Sequence, residues 1–219
     1  MTREGEMNRE EITQICEYQV LETAARLFGT TRSSLSKIAD YEGCANLVYE
    51  YAHAGQRRML RITYRPERTA EVVQAELHFV NYLAERGVRV SRPVPSVNSN
   101  LLEVIPAEGI PFIAASFIKG RGMRVPDNGY RYRVGVPIEE YFQNWGQALG
   151  QMHRLTKTYQ PLSKAIRRPA WFDWEYTSGF PYREQLPGIA VKYDALIAEL
   201  QALPKDVDSY GLIHNDFND

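Results

Sequence analysis

GLIHNDFND, residues 211–219, is the stretch from which the rest of the chain takes its meaning. Tyr210, Gly211, Leu212 and Ile213 form a short apolar lead-in to a polar run, so the passage reads as a buried strand opening into a loop. His214 stands two positions before Asp216 at the mouth of that strand. A carboxylate so placed can orient a hydroxyl or accept its proton. The same letters also fit a plain polar tail, so the residues upstream have to decide.

A chain of 219 residues, 44% of them hydrophobic and 24% charged, is long enough for one large or two small domains with a real core. The net charge of −1 supplies no basic field, which argues against nucleic acid or an anionic membrane as a bulk partner. Cys16 and Cys44, the two cysteines, make neither a disulfide framework nor a metal-ligand set and read as small buried hydrophobes. Residues 1–11 carry charges of both signs with no apolar core, and no run reaches the roughly 18 apolar residues of a membrane span. A cytoplasmic protein is expected.

Ile12, Ile15, Cys16, Val20, Ala24, Leu27 and Phe28 recur at helical spacing, and Gly29 is the natural stop. The continuation through residues 30–38 admits a rival reading, a helix-turn-helix whose second helix would meet DNA, but residues 35–41 alternate as a strand does. Residues 47–53 and 58–65 are rich in β-formers around the turn Ala54, Gly55, Gln56, completing an antiparallel meander. In the turn before them, Gly43 and Asn46 permit tight backbone whose N–H groups could face a phosphate; an ordinary hairpin connection fits as well.

Arg61 sits between Leu60 and Ile62, where an unpaired ion is costly to desolvate. The pattern over 69–86 predicts a helix ended by Gly87, and it carries Glu76 on its apolar side, the wrong place for a merely solvated acid. The two charges are expected to pair, either as a structural salt bridge or as a grip on phosphate. Residues 88–95 are extended by their prolines. Two more strands are predicted over 101–105 and 110–118, giving a five-stranded sheet. Lys119, Gly120, Arg121 and Gly122 then read as a hinge.

Beyond it the pattern turns helical. Pro137 opens a helix whose inner face carries Tyr141, Phe142, Trp145, Leu149, Met152, His153 and Leu155. His153 reads as a core or helix-end histidine, since no second ligand accompanies it. Trp171, Phe172, Trp174 and Tyr176 form an aromatic knot, either a packed loop or a face for a cationic substrate. A last helix is predicted over 191–203, stopped by Pro204.

Taken in order, LRIT (60–63), the Glu76 helix, VSRPVPS (90–96), FIAASFIKG (112–120), ALGQMHRL (148–155) and GLIHNDFND resemble the aminoglycoside phosphotransferase and choline kinase-like family of small-molecule kinases. Its catalytic loop has the pattern His-x-Asp with an Asn five positions after the Asp. The resemblance implies an α+β, protein-kinase-like two-lobe fold. Residues 1–118 would be a nucleotide-binding lobe with an N-terminal helix, and 119–219 the hinge and first part of a helical lobe. It also implies ATP and Mg²⁺ as cofactors, and as acceptor a small-molecule hydroxyl on an aminoglycoside, an amino alcohol or a similar compound.

By the same resemblance, Arg61 contacts phosphate with Glu76 as its partner, the backbone of Ser116, Phe117 and Ile118 receives adenine, Asp216 orients the attacking hydroxyl, and His214 shapes the loop. Two departures stand out. The family's usual Lys is Arg61 here, a planar fork in place of a point charge. The pattern's metal-binding Asn and a later metal-binding Asp fall past residue 219. The expectation is therefore a fragment, inactive alone, that keeps some nucleotide affinity, exposes apolar helix surface and self-associates through it. A noncatalytic nucleotide-binding or interaction module on the same scaffold is the alternative.

Overall fold

A computed structural model of the chain describes residues 8–38, 46–65, 67–122, 133–172 and 182–214. Two compact units divide it, Met1–Met123 and Arg124–Asp219.

The first unit opens with a reciprocal cap. Asn8 Oδ1 accepts from the Glu11 N–H at 2.9 Å, and Glu11 Oε2 accepts from the Asn8 N–H at 2.8 Å, so two orphan donors of the helix start are satisfied. Helix α1 (Arg9–Ile15) passes through a π turn (Cys16–Val20) into α2 (Leu21–Leu27). Cys16, Val20, Leu21, Ala24, Ala25 and Phe28 are all buried along this run. Gly29 ends it at φ +69°, with Thr30 N–H reaching back to Ala25 O at 2.9 Å.

The helix-turn-helix reading fails at the next step. Residues Arg32–Ser34 make only one 3₁₀ turn, and Ser36–Lys37 form strand β1, paired with the following strand. The hydroxyls of Ser33 and Ser34 lie 3.1 and 2.9 Å from Thr31 Oγ1, closing a local turn where a recognition helix would have had to start.

Strands β2 (Asn46–His53) and β3 (Gln56–Thr63) form a hairpin closed by Ala54 and Gly55, both at positive φ, as a two-residue primed turn demands. Next come α3 (Ala70–Glu85), capped by Thr69, then β4 (Pro93–Val94), β5 (Leu102–Ala107) and β6 (Ile110–Ile118). All pairings are antiparallel, in the order β1-β2-β3-β6-β4, with β5 also on β6.

The sheet thus has six strands where five were expected. The additional one is the proline-extended passage 93–94, which takes the stretch of β6 that β5 leaves unpaired. A proline suits this edge because the ladder there loses little without its N–H. Pro106 likewise lies inside β5, opposite Pro111. A pair next to the bonded turn pair Ala107 and Ile110 exchanges no ladder hydrogen bonds, so two prolines fit.

Alternation sorts the side chains onto two faces. Leu47, Tyr49, Tyr51, Leu60, Ile62, Phe112 and Ala114 pack under the N-terminal helical run. Ile113, Ala115 and Phe117 face the other way and meet Val73 and Leu77 of α3.

The second unit has two α-helices among its described residues, and the buried strand expected over 210–213 is absent, Tyr210 and Ile213 being exposed there. Pro137 precedes α4 (Ile138–Thr156), which stacks Tyr141, Phe142 and Trp145 along one side with ring centroids 5.3 to 5.9 Å apart. Helix α5 (Pro187–Ala202) starts a turn earlier than its apolar pattern predicts because Pro187 occupies the first position, where a missing N–H costs nothing. Arg183 grips Asp194 through its two terminal guanidinium nitrogens, Nη1 and Nη2, at 2.7 and 2.8 Å. Ile189, Leu196, Leu200 and Leu203 are exposed on or just past α5. Among the described residues, no helix is long and apolar enough to cross a membrane.

Candidate nucleotide site

The pleat fixes where Arg61 points. Leu60 and Ile62 are wholly buried under the helical run, so the residue between them must leave on the opposite face, the one α3 covers. Helix α3 there presents Glu76, one turn on from the buried Val73. Arg61 Nη1 donates to Glu76 Oε1 at 2.6 Å, with less than a quarter of either side chain exposed. The Arg61 guanidinium carbon lies 4.9 Å from the Phe117 ring centroid, so the cation is held between a carboxylate and an aromatic face. A second guanidinium reaches the same acid, Arg68 Nη1 being 3.5 Å from Glu76 Oε2. The other two nitrogens of Arg61, Nε and Nη2, are buried and find no hydrogen-bond partner among the described residues.

Two rows of paired residues cross this face of the sheet: Val48, Arg61 and Ala115, then Glu50, Met59 and Phe117. In the second row Glu50 Oε2 accepts from Lys119 Nζ at 2.6 Å and also pairs with Arg57, tying β2 to the residue just past β6. The Lys119 hydrogen bond, with further help from the charges of Lys119 and Arg57, holds the Glu50 carboxyl below its ordinary range against the opposing effect of burial.

The other expected site residues are more scattered. Asn46 begins β2, and its side-chain carbonyl accepts from Thr63 Oγ1 at 2.7 Å. The Ser116 side chain is buried on the opposite face, 2.7 Å from the Tyr51 hydroxyl, so only its backbone could serve a ligand on the Arg61 side. The Ile118 N–H donates to Arg92 O at 2.9 Å and the Lys119 N–H to Arg57 O at 3.0 Å. His214 is exposed in the second unit. Gly43 and Asp216 lie outside the described residues.

Arg61, Glu76 and Phe117 are therefore brought together. Arg68, Glu50 and Lys119 join them without having been anticipated. A surplus of cations flanking Glu76 was the available signal for Arg68; nothing local ties Glu50 to Lys119, which are 69 positions apart. Among the described residues, no group of three or more His, Cys, Asp or Glu could hold a metal ion.

Residues 38–219 match the phosphotransferase enzyme family known as APH. The chain belongs to that family. It is 31% identical over 207 residues to amicoumacin kinase of Bacillus subtilis, spanning 92% of this chain and 58% of that protein. It is 26% identical over 153 residues to homoserine kinase of Cupriavidus taiwanensis, spanning 70% of this chain and 40% of that one. Among solved structures, it is similar to amicoumacin kinase hAmiN in complex with AMP-PNP, Ca²⁺ and Ami, at a TM-score of 0.77 and 28% identity over 95% of this chain and 61% of that one. The microcompartment-associated aminopropanol kinase shares the fold, at a TM-score of 0.61 and 19% identity over 90% of this chain and 61% of the other. The chain thus spans about three fifths or less of the length of these relatives. With the kinase-like fold, the chain carries Arg61 on a central strand and Glu76 on the helix beside it.

Proposed function

We propose that this chain supplies the nucleotide-gripping half of an ATP-dependent kinase acting on a small-molecule hydroxyl. The carrying observation is the Arg61 guanidinium, fixed by Glu76 at 2.6 Å and seated on Phe117, with two buried N–H-bearing nitrogens lacking partners among the described residues. A buried donor without an acceptor costs roughly 1–3 kcal/mol, and more when charged. Arg61 keeps 18% of its side chain exposed, the way by which a phosphate oxygen would reach the cation.

On this reading residues 1–118 hold the nucleotide. The base lies near Met59 and Phe117 against the backbone of residues 116–118, and the phosphates extend toward Arg61 and the turn carrying Gly43 and Asn46. The Ile118 N–H is already donated to Arg92 and the Lys119 N–H to Arg57, so the base would meet backbone groups other than these two. Asp216 orients the acceptor hydroxyl and His214 shapes its loop. Mg²⁺, bound with the nucleotide, would neutralise charge on the transferring group; its ligands are not among the described residues.

The acceptor is a hydroxyl compound of modest size, in keeping with the amicoumacin and homoserine in the names of the relatives. The protein works in the cytoplasm, where ATP is available. The exposed apolar residues of α5 favour self-association, expected as a concentration-dependent rise in sedimentation coefficient.

Calorimetric titration with ATP tests the core of this reading. The 219-residue polypeptide is expected to bind ATP, Arg61→Ala to lose that binding by at least tenfold, and neither to turn it over, because the motif's Asn is not among these residues. In a polypeptide extended past Asp219, turnover should appear and vanish in Asp216→Ala. Equal turnover with and without the Asp216 carboxylate would remove that residue from the chemistry. ATP binding without turnover in the extended form would favour the noncatalytic module.

A further inference from the structure

We infer that Lys119 is a further nucleotide-binding residue, donating from its ammonium to an acceptor atom of the nucleoside, and that Glu50 positions it. The inference rests on the nucleotide reading above and concerns the base end of the site, where Arg61 and Glu76 do not reach.

Glu50 alternates with Tyr49 and Tyr51, which are buried under the N-terminal helical run, so its side chain leaves on the face that carries Arg61. In register it stands opposite Met59, and Met59 opposite Phe117. Lys119 follows two residues after Phe117, anchored by its N–H to Arg57 O at 3.0 Å. Strand β3 runs between β2 and β6, which sets those two strands about 9–10 Å apart. Lys119 Nζ nevertheless lies 2.6 Å from Glu50 Oε2. The two side chains therefore close over β3, between Arg57 and Met59, and the ammonium is carried to the row of Met59 and Phe117 where the base is proposed to lie.

The carboxylate that draws it there is held from both sides. Oε1 of Glu50 pairs with Arg57 and Oε2 with Lys119, and only 14% of the Glu50 side chain is exposed. An ammonium has three donors, and among the described residues Glu50 is the one group that Lys119 Nζ bonds. With 37% of the Lys119 side chain exposed, a ligand can reach the remaining donors. What they can take is narrow. An ammonium accepts nothing, so its complement on a nucleoside is a purine ring nitrogen or a ribose oxygen. Because Glu50 has already ordered the long side chain, little further ordering is lost when the nucleoside arrives.

Calorimetric titrations of the whole chain with ATP, 2′-deoxy-ATP and inorganic tripolyphosphate test this, at physiological salt, where charges more than about 8 Å apart are screened. Lys119→Met is expected to weaken ATP about tenfold, the order of one charge-assisted hydrogen bond, and to leave tripolyphosphate unchanged. A gap between ATP and 2′-deoxy-ATP that closes in Lys119→Met assigns the contact to the 2′-hydroxyl; a gap that persists assigns it to the rest of the nucleoside. Glu50→Ala should reproduce most of the ATP loss with tripolyphosphate again unchanged, a split that general loosening of the fold would not give. In a Lys119→Met background Glu50→Ala should add little, because it acts through the ammonium.

Unchanged ATP affinity in Lys119→Met would overturn the inference and leave the nucleotide reading standing. Equal losses for ATP and tripolyphosphate would overturn it in favour of a through-space effect of the charge. Failure of the wild-type chain to bind ATP at all would bring down the nucleotide reading, and this inference with it.

Discussion

Arg61 shows how far a single residue can be read. A cation between two core aliphatics on a strand must point away from them, and an acid on the apolar side of the next helix is the natural counter-ion. Their pairing was therefore legible before any coordinates. Phe117 as the plate beneath the guanidinium was not, because which strand neighbours β3 is a matter of topology. Nor was the Ser116 side chain, which turns to Tyr51 on the far face. Removing that hydroxyl in Tyr51→Phe leaves Ser116 Oγ buried without its partner and should cost about 1–2 kcal/mol in urea unfolding. Glu50 gives a pH-dependent test. Its folded carboxyl is held below the ordinary 4.5, so its contribution is fully present above that value and fades as the pH falls through the lower folded one. Glu50→Gln should therefore destabilise the chain at pH 7, and the gap from wild type should narrow in urea titrations taken progressively below pH 4.5.

At the scale of elements, turn chemistry and caps mattered more than periodicity. The hairpin between β2 and β3 needs two residues at positive φ, and Ala54, at φ 49°, is there against its own preference. Ala54→Asn, which makes the turn Asn-Gly, should raise stability by about 0.5–1 kcal/mol, read as a higher urea midpoint at unchanged slope. Gly29 is the reverse case. It closes α2 at φ +69°, and a Cβ there would stand 2.9 Å from Cε1 of His53, whose Nδ1 lies 2.9 Å from the Gly29 carbonyl oxygen. Gly29→Ala should cost upwards of about 1 kcal/mol and lower the melting temperature, since both backbone and neighbour must give way. The sixth strand escaped the sequence pattern for a related reason. Pro93 and Val94 carry no alternation to detect, and they become a strand only because β5 leaves the last residues of β6 unpaired.

For the molecule as a whole, burial is uneven. The first unit buries two apolar clusters on the two faces of one sheet, whereas among the described residues of the second unit only Ala190 is buried. Stability tracks buried apolar area, so the two units should not unfold together. All three tryptophans, Trp145, Trp171 and Trp174, belong to the second unit and report on it alone. Tryptophan fluorescence should change at lower urea than the near-ultraviolet signal of the buried Tyr49 and Tyr51, and coincident transitions would contradict this ordering.

The sequence by itself determined the β2–β3 hairpin, the α3 helix and the charge pair, because apolar period, turn residues and the cost of an unpaired buried ion are all local in their causes. Tertiary structure alone decided which strands lie side by side. Adjacency between residues dozens of positions apart depends on how a sheet satisfies its own edges, and no window of sequence contains that. From adjacency came the aromatic plate under Arg61, the tie from Glu50 to Lys119, and the division of Glu76 between two arginines.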